Sequence, residues 1–265
     1  MNAQSKAIGI FDSGVGGLTV LKALRERLPG ERFVYLGDTA RLPYGTKTAA
    51  TVRRYALNAA SHLAAHDVKL LVVACNTASS FALEALAEVS TVPVLGVILP
   101  GVRAALLTGA ERIGVIGTEG TIRSESYQTA LAGLGPAIKV RAAACPLFVP
   151  LAEEGWGDHD VTDQIARLYL EPMLAWGVDA IILGCTHYPL LRPSLQRVVG
   201  PQVQLVDSAS SVADAVLSDH SELIDTAGGV VGDVHIQLTD ASDRFLRITN
   251  AILGRDPEHL EVVDI

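Results

Sequence analysis

Cysteine is scarce in this chain of 265 residues, which holds only three. Three thiols cannot all pair with one another, so a disulfide framework is excluded and the fold must rest on its core. Long apolar runs are missing as well. Stretches such as 70–74 and 180–183 are strand-sized, far below the roughly 20 residues needed to span a bilayer as a helix. An excess of positive charge is also absent. Lysine and arginine number 21 against 29 aspartates and glutamates, a net charge of -8. That balance argues against broad nucleic-acid binding and favours solubility. The N-terminal Met-Asn-Ala-Gln-Ser-Lys lacks the basic and apolar regions of an export signal, so a cytoplasmic protein with reduced thiols is expected.

What is present is an ordinary globular composition, 49% hydrophobic and 19% charged. Its length suits one or two domains. Short apolar strands alternate with amphipathic helices. Strands are expected at 7–11, 32–36, 70–74 and 92–97, with helices at 18–28, 48–65 and 78–89; Pro100 and Gly101 are read as closing this series. A second series has strands at 112–117, 138–143, 179–183 and 203–207, with helices at 124–134, 160–173, 194–199 and from 210. Strands joined by helices long enough for crossovers predict α/β architecture with mainly parallel sheets. Gly228 and Gly229 are read as a break, followed by a hairpin and a small helix.

The two series echo each other. Ile8-Gly-Ile-Phe-Asp-Ser-Gly has a counterpart in Ile113-Gly-Val-Ile-Gly-Thr-Glu-Gly, and Leu71-Val-Val-Ala-Cys-Asn-Thr in Ile181-Ile-Leu-Gly-Cys-Thr-His. The paired positions lie 105 and 110 residues apart. Two related α/β lobes are therefore expected, each presenting strand ends to a shared cleft, where ligands of such sheets bind.

Cys75 and Cys185 each end an apolar strand and precede small polar residues and a helix. A thiol there meets free backbone N–H groups and the positive end of the helix dipole, which favour a thiolate or a bound anion. A single free cysteine is more often a buried structural residue. Two in matching contexts point to chemistry, whereas Cys145, before Pro146, reads as structural. Cys75, Cys185 and His187 could supply metal ligands, but no C-x-x-C pair exists, which argues against zinc. A single-nucleophile pair of Cys185 with His187 would leave Cys75 unexplained.

The turn Asp12-Ser13-Gly14-Val15-Gly16-Gly17 has neither dinucleotide-fold nor Walker spacing. It still suits a tight strand-to-helix turn with exposed N–H groups. Asp12 is placed to act as a base or to orient one, or simply to cap the helix. Asp38 and the Pro43-Tyr44-Gly45 loop follow the second strand, where a tyrosine hydroxyl and backbone N–H groups could grip a carboxylate; a plain turn is the alternative. Ser13, Asn76, Thr77 and Thr186 add neutral donors at strand ends, and Thr118 and Thr121 would face the cleft from the other series. Glu153 and Glu154 are read as lying in a loop, where exposed glutamates ordinarily serve solubility.

With these residues quoted, the chain resembles the glutamate racemases of the cofactor-independent aspartate/glutamate racemase family. The match runs through Ile10-Phe-Asp-Ser-Gly-Val-Gly-Gly-Leu-Thr, Tyr35-Leu-Gly-Asp, Pro43-Tyr-Gly, Ala74-Cys-Asn-Thr-Ala-Ser, Cys145-Pro-Leu, Gly184-Cys-Thr-His-Tyr-Pro-Leu and Val206-Asp-Ser. The resemblance implies Cys75 and Cys185 as two catalytic bases, the first taking the proton from D-glutamate and the second from L-glutamate. It implies that Asp12 supports Cys75 and His187 supports Cys185. It assigns Asp38 and Glu153 to the site or its border, and Ser13, Tyr44, Gly45, Asn76, Thr77, Thr118, Thr121 and Thr186 to substrate binding. It further implies no cofactor and no metal, a small-molecule substrate, no nucleic-acid or membrane partner, and a homodimer, with a monomer as the alternative. The lobes it implies are 1–97 with 210–265, and 98–209, and its role is to supply D-glutamate for peptidoglycan. No lysine pairs with a phosphate nest as a Schiff-base cofactor would require, which agrees. An aspartate or other amino-acid racemase is the nearest alternative activity, and a two-lobe binding module the non-catalytic one.

Overall fold

The computed structural model describes residues 6–224, 232–254, 257 and 259–265. Its first series begins with β1 (Ala7–Asp12), α1 (Leu18–Arg27), β2 (Phe33–Gly37), α2 (Ala49–Ala64), β3 (Val68–Val73), α3 (Asn76–Val89), β4 (Val94–Gly96) and α4 (Ile98–Leu107). The second runs through β5 (Arg112–Gly117), α5 (Glu119–Arg123), α6 (Ser126–Leu134), β6 (Lys139–Ala144), α7 (Phe148–Glu153), α8 (Asp160–Ala175), β7 (Ala180–Gly184), α9 (Arg192–Val199), β8 (Gln204–Asp207) and α10 (Ser208–Asp219). The chain returns through β9 (Val234–Leu238), α11 (Asp243–Leu253) and β10 (His259–Val262).

Two sheets result, ordered β10-β9-β2-β1-β3-β4 and β6-β5-β7-β8. Every pairing among the described residues is parallel. The order β2-β1-β3-β4 maps position by position onto β6-β5-β7-β8, so the sequence echo is a repeat of topology. β1, β3 and β7 are buried along their whole length, as strands covered by helices on both faces must be; β7 is apolar throughout, while β3 buries Lys69, paired with Glu31 at 2.6 Å, and β1 ends in Asp12. In α1, Leu18, Leu21 and Leu24 are buried at helical spacing and join the core under the first sheet. Burial of each such side chain contributes about 1.5–3 kcal/mol. Because all strands are parallel, Asp12, Cys75, Thr118 and Cys185 stand just at or past the carboxyl ends of β1, β3, β5 and β7.

Several expectations need correction. The C-terminal hairpin does not form. β9 and β10 are parallel neighbours joined through α11, and β9 docks on the free edge of β2. A parallel pair needs such a crossover, and the apolar face of Phe245, Ile248 and Ile252 supplies one that packs on the core. Gly228 and Gly229 lie outside the described residues. Pro100 and Gly101 do not close the first series but sit in the opening turn of α4, where a proline removes no helical hydrogen bond. The helix expected at 124–134 forms at Ser126–Leu134, entered through Glu125 with a left-handed φ of 56°, and a short helix at Glu119–Arg123 that was not expected precedes it. Glu153 is not in a loop: it ends α7, and its side chain is only 8% exposed.

Candidate active site

The ends of the two sheets meet around a small cavity lined by Ser13, Tyr44, Gly45, Cys75, Asn76, Thr77, Thr118, Glu153, Cys185, Thr186 and His187, together with Leu42, Pro43 and Val149. Eleven of the sequence-derived candidates thus share one wall. Asp12, Asp38 and Thr121 stand behind it. Larger grooves on the outer faces, such as one bordered by Leu57, Leu71 and Val92, contain no thiol. The cavity measures about 20 Å³. That is room for a single water molecule, so the cleft is closed and a larger ligand requires the surrounding elements to part. Closure depends on two glycines. A Cβ on Gly16 would lie 2.5 Å from Thr186 Oγ1 and 2.6 Å from His187 Nδ1, and one on Gly45 would run into the Thr118 side chain. Both positions bring backbone of the first series against side chains of the second.

Cys75 precedes α3 and serves as its cap. Its Sγ accepts from the Ala78 N–H at 3.4 Å and its S–H donates to Ser13 Oγ at 3.4 Å. Burial, with the Asp12 charge adding to it, pushes this thiol up to about 12, against the opposing bonds from Ser13 and Ala78. The helix-terminal N–H alone does not produce a thiolate here. Cys185 has a different partner: its Sγ lies 3.9 Å from His187 Nδ1. Burial pulls the His187 imidazolium down, but Cys185 and Glu153 outweigh burial and hold its proton up to about 10. His187 Nε2 sits 3.3 Å from Glu153 Oε1, close enough for an ion pair although not aligned for a straight hydrogen bond.

Asp12 does not cap α1, whose cap is Gly17. Its carboxylate accepts from Gly14 N–H at 2.9 Å and from the Thr186 hydroxyl at 3.3 Å. Burial raises its pKa, with the His187 cation and these bonds opposing. Its charge therefore acts on both thiol sides, on Cys75 directly and on His187 across the cleft. Tyr44 does not offer its hydroxyl to the cavity. The hydroxyl donates to Asp38 Oδ2 at 2.6 Å, while Asp38 Oδ1 receives Arg41 at 3.0 Å and Thr239 at 2.9 Å. Asp38 is thus a buried anchor for the Tyr44 loop. Thr121 is fully buried and completes a hydroxyl triangle with Thr77 and Thr118, with edges of 2.9–3.1 Å.

Asn76 is the clearest waiting donor. The Tyr127 hydroxyl donates to its Oδ1 at 2.7 Å, while the buried Nδ2 has no partner. A buried N–H₂ of this kind costs about 1–3 kcal/mol unless something accepts from it, and a bound carboxylate would. Tyr127 escaped the sequence reading because nothing in its local helix marks it; only the meeting of α6 with α3 brings it to Asn76. Arg244 was missed likewise. It reaches from α11 to Glu153 Oε2 at 3.3 Å and to Glu154 Oε1 at 3.1 Å. Cys145 is buried away from the cavity wall, as a structural cysteine should be.

Among known families, the model for Asp/Glu/hydantoin racemases matches residues 16–216. A glutamate racemase from Geobacter metallireducens is 53% identical over 252 residues, covering 94% of this chain and 93% of that protein. Among solved structures, a glutamate racemase isoform from Bacillus anthracis superposes with a TM-score of 0.93 at 36% identity, covering 99% of this chain and 98% of that one. A glutamate racemase from Francisella tularensis, solved in complex with D-glutamate, gives 0.91 at 34% identity and covers 98% of both chains.

Proposed function

The chain belongs to the Asp/Glu/hydantoin racemase family, and we propose that it acts through two thiols, one on each lobe. It is a glutamate racemase, interconverting L- and D-glutamate. The observation that carries the two-thiol reading is that Cys75 and Cys185, from equivalent strands of two sheets, line the same closed cavity.

In the L-to-D direction the Cys185 thiolate, faced by the His187 imidazolium, takes the α-proton. The electron pair left on Cα spreads into the α-carboxylate, and the Cys75 S–H then delivers its proton to the other face. The product is D-glutamate, with Cys185 now a thiol and Cys75 a thiolate; the reverse reaction exchanges the states. The α-carbon acid is very weak, so charge developing on the carboxylate must be met by prearranged donors. Asn76 Nδ2, Thr77, Thr118 and Thr186 stand where they can do this. Asp12 and His187 hold the charge balance between the thiols. The reaction needs neither metal nor organic cofactor.

We further assign lobes 1–97 with 210–265 and 98–209, a cytoplasmic homodimer, and a role in providing D-glutamate for peptidoglycan. The test of function is racemisation in D₂O from pure L-glutamate, with aspartate in parallel. D-Glutamate should carry deuterium from the first turnovers while residual L-glutamate gains little. Early labelling of the L pool would replace two bases by one. Aspartate should be slower by roughly 10²-fold or more, since one missing methylene cannot satisfy both carboxylate ends without displacing Cα from the sulfurs. Equal turnover of aspartate would reassign the substrate.

A further inference from the structure

Among the described residues Glu153 is the one carboxylate lining the cavity, and its two oxygens face two different cations. Oε1 lies 3.3 Å from His187 Nε2, and Oε2 lies 3.3 Å from Arg244 Nη2. The two cations come from different lobes. His187 follows β7, whereas Arg244 is in the first turn of α11, on the C-terminal return that extends the first sheet. The Glu153 and His187 side chains are each 8% exposed, while Arg244 is 37% exposed and does not line the cavity.

We propose that Arg244 is a positioning residue for the Cys185 side of the reaction, holding the second oxygen of Glu153 and so limiting how strongly that carboxylate binds the His187 imidazolium. The inference rests on the two-thiol reading above. A racemase must pass through both protonation states of its thiol pair on every round trip. If Glu153 spent its whole charge on His187, the imidazolium–thiolate pair at Cys185 would become too stable and the thiolate too weak a base. Sharing Glu153 with a cation from the other lobe restrains this. The charged groups facing His187 are Cys185 on its own segment, Glu153 from α7 and Asp12 from β1; beyond Glu153 stand Arg244 and Glu154. Of these, Arg244 is the cation whose removal leaves every cavity-lining group in place.

The experiment compares Arg244→Gln and Arg244→Lys with the parent, reading the His187 imidazole by ¹⁵N NMR titration of the resting protein and kcat/KM against pH. With Arg244→Gln the His187 midpoint and the alkaline limb should both rise, by about half a pH unit or more for one charge removed near a partly screened pair. kcat should fall several-fold with little change in KM. Arg244→Lys should restore the parent midpoint. A His187 midpoint unmoved in Arg244→Gln overturns the proposal, as does a lysine variant shifted as far as the glutamine one. The NMR titration needs no turnover. A parent that fails to racemise glutamate would therefore sink the functional reading, while an active parent with an unmoved midpoint would sink only this one.

Discussion

The two thiol-bearing strand ends began as sequence echoes and finish in unlike surroundings. Cys75 follows β3 and caps a 14-residue helix, with neutral neighbours Ser13 and the Ala78 N–H. Cys185 follows β7, but its segment continues through Thr186 and His187 into a 3₁₀ turn at Tyr188–Leu191, and its partner is a cation backed by Glu153. One side keeps its sulfur protonated through burial; the other surrounds its sulfur with a counter-ion. Repeated topology brings the two sulfurs to one cavity, while local divergence gives them unlike partners.

The sharpest way to break this comparison is to delete each sulfur. Cys75→Ala and Cys185→Ala should each lower racemisation by about 10³-fold or more, the scale of losing a positioned acid or base. Because the enantiomers are equal in free energy, kcat/KM must fall equally in both directions, and any difference between the variants must appear in kcat and KM separately. Near-parent rates in either variant would remove that thiol from the mechanism.

Replacing the imidazole beside Cys185 should have a smaller effect. His187→Gln should cost about 10–10²-fold in kcat/KM, equally in both directions. Held up to about 12, the Cys75 thiol should contribute no thiolate ultraviolet absorbance at pH 8, so Cys75→Ser should leave the spectrum at that pH unchanged. Thiolate absorbance lost in Cys75→Ser at pH 8 would show that burial does not keep that thiol protonated, and a parent-like rate in His187→Gln would remove the imidazole from the mechanism.

Closure gives a third test. Gly16→Ala should raise KM by roughly tenfold, because its Cβ would press on Thr186 and His187 and hold the lobes apart. An unchanged KM would show that Gly16 is not a contact on which closure depends.

The smallest effect is on stability. The folded His187 is held up to about 10, above its ordinary value of 6.5. The folded state therefore binds more protons than the unfolded chain between these values. The stabilisation is complete below about pH 6.5, and is lost as pH rises through about 10. Denaturant midpoints of the parent should fall from pH 7 to pH 10 more steeply than those of His187→Gln; parallel curves would contradict the His187–Glu153–Cys185 linkage.

Much of this was legible in the residues. Short apolar runs and period-3.6 patterns pointed to the α/β class because buried parallel strands and amphipathic helices are each written locally. Cys75, Asn76, Thr77, Thr118, Thr186 and Cys185 were legible because strand ends in such sheets face the ligand, so place in the element predicts place in the site. Tyr44 misled because a free hydroxyl and one spent on Asp38 have the same sequence. Glu153 was undervalued because two adjacent glutamates look alike until α7 buries one and leaves the other half exposed.

By itself, the sequence determined what local chemistry encodes: two series of strands and helices, a thiol ending one strand of each, and glycines small enough to let them meet. Tertiary structure alone decided which side chains share a charge. The parallel docking of β9 and β10 carries Arg244 to Glu153, the packing of α6 on α3 brings Tyr127 to Asn76, and the closed cleft puts Asp12 within reach of Thr186. Those pairings join residues far apart in the chain, and electrostatic interaction depends on distance in space and on burial, neither of which is carried by any local stretch of sequence.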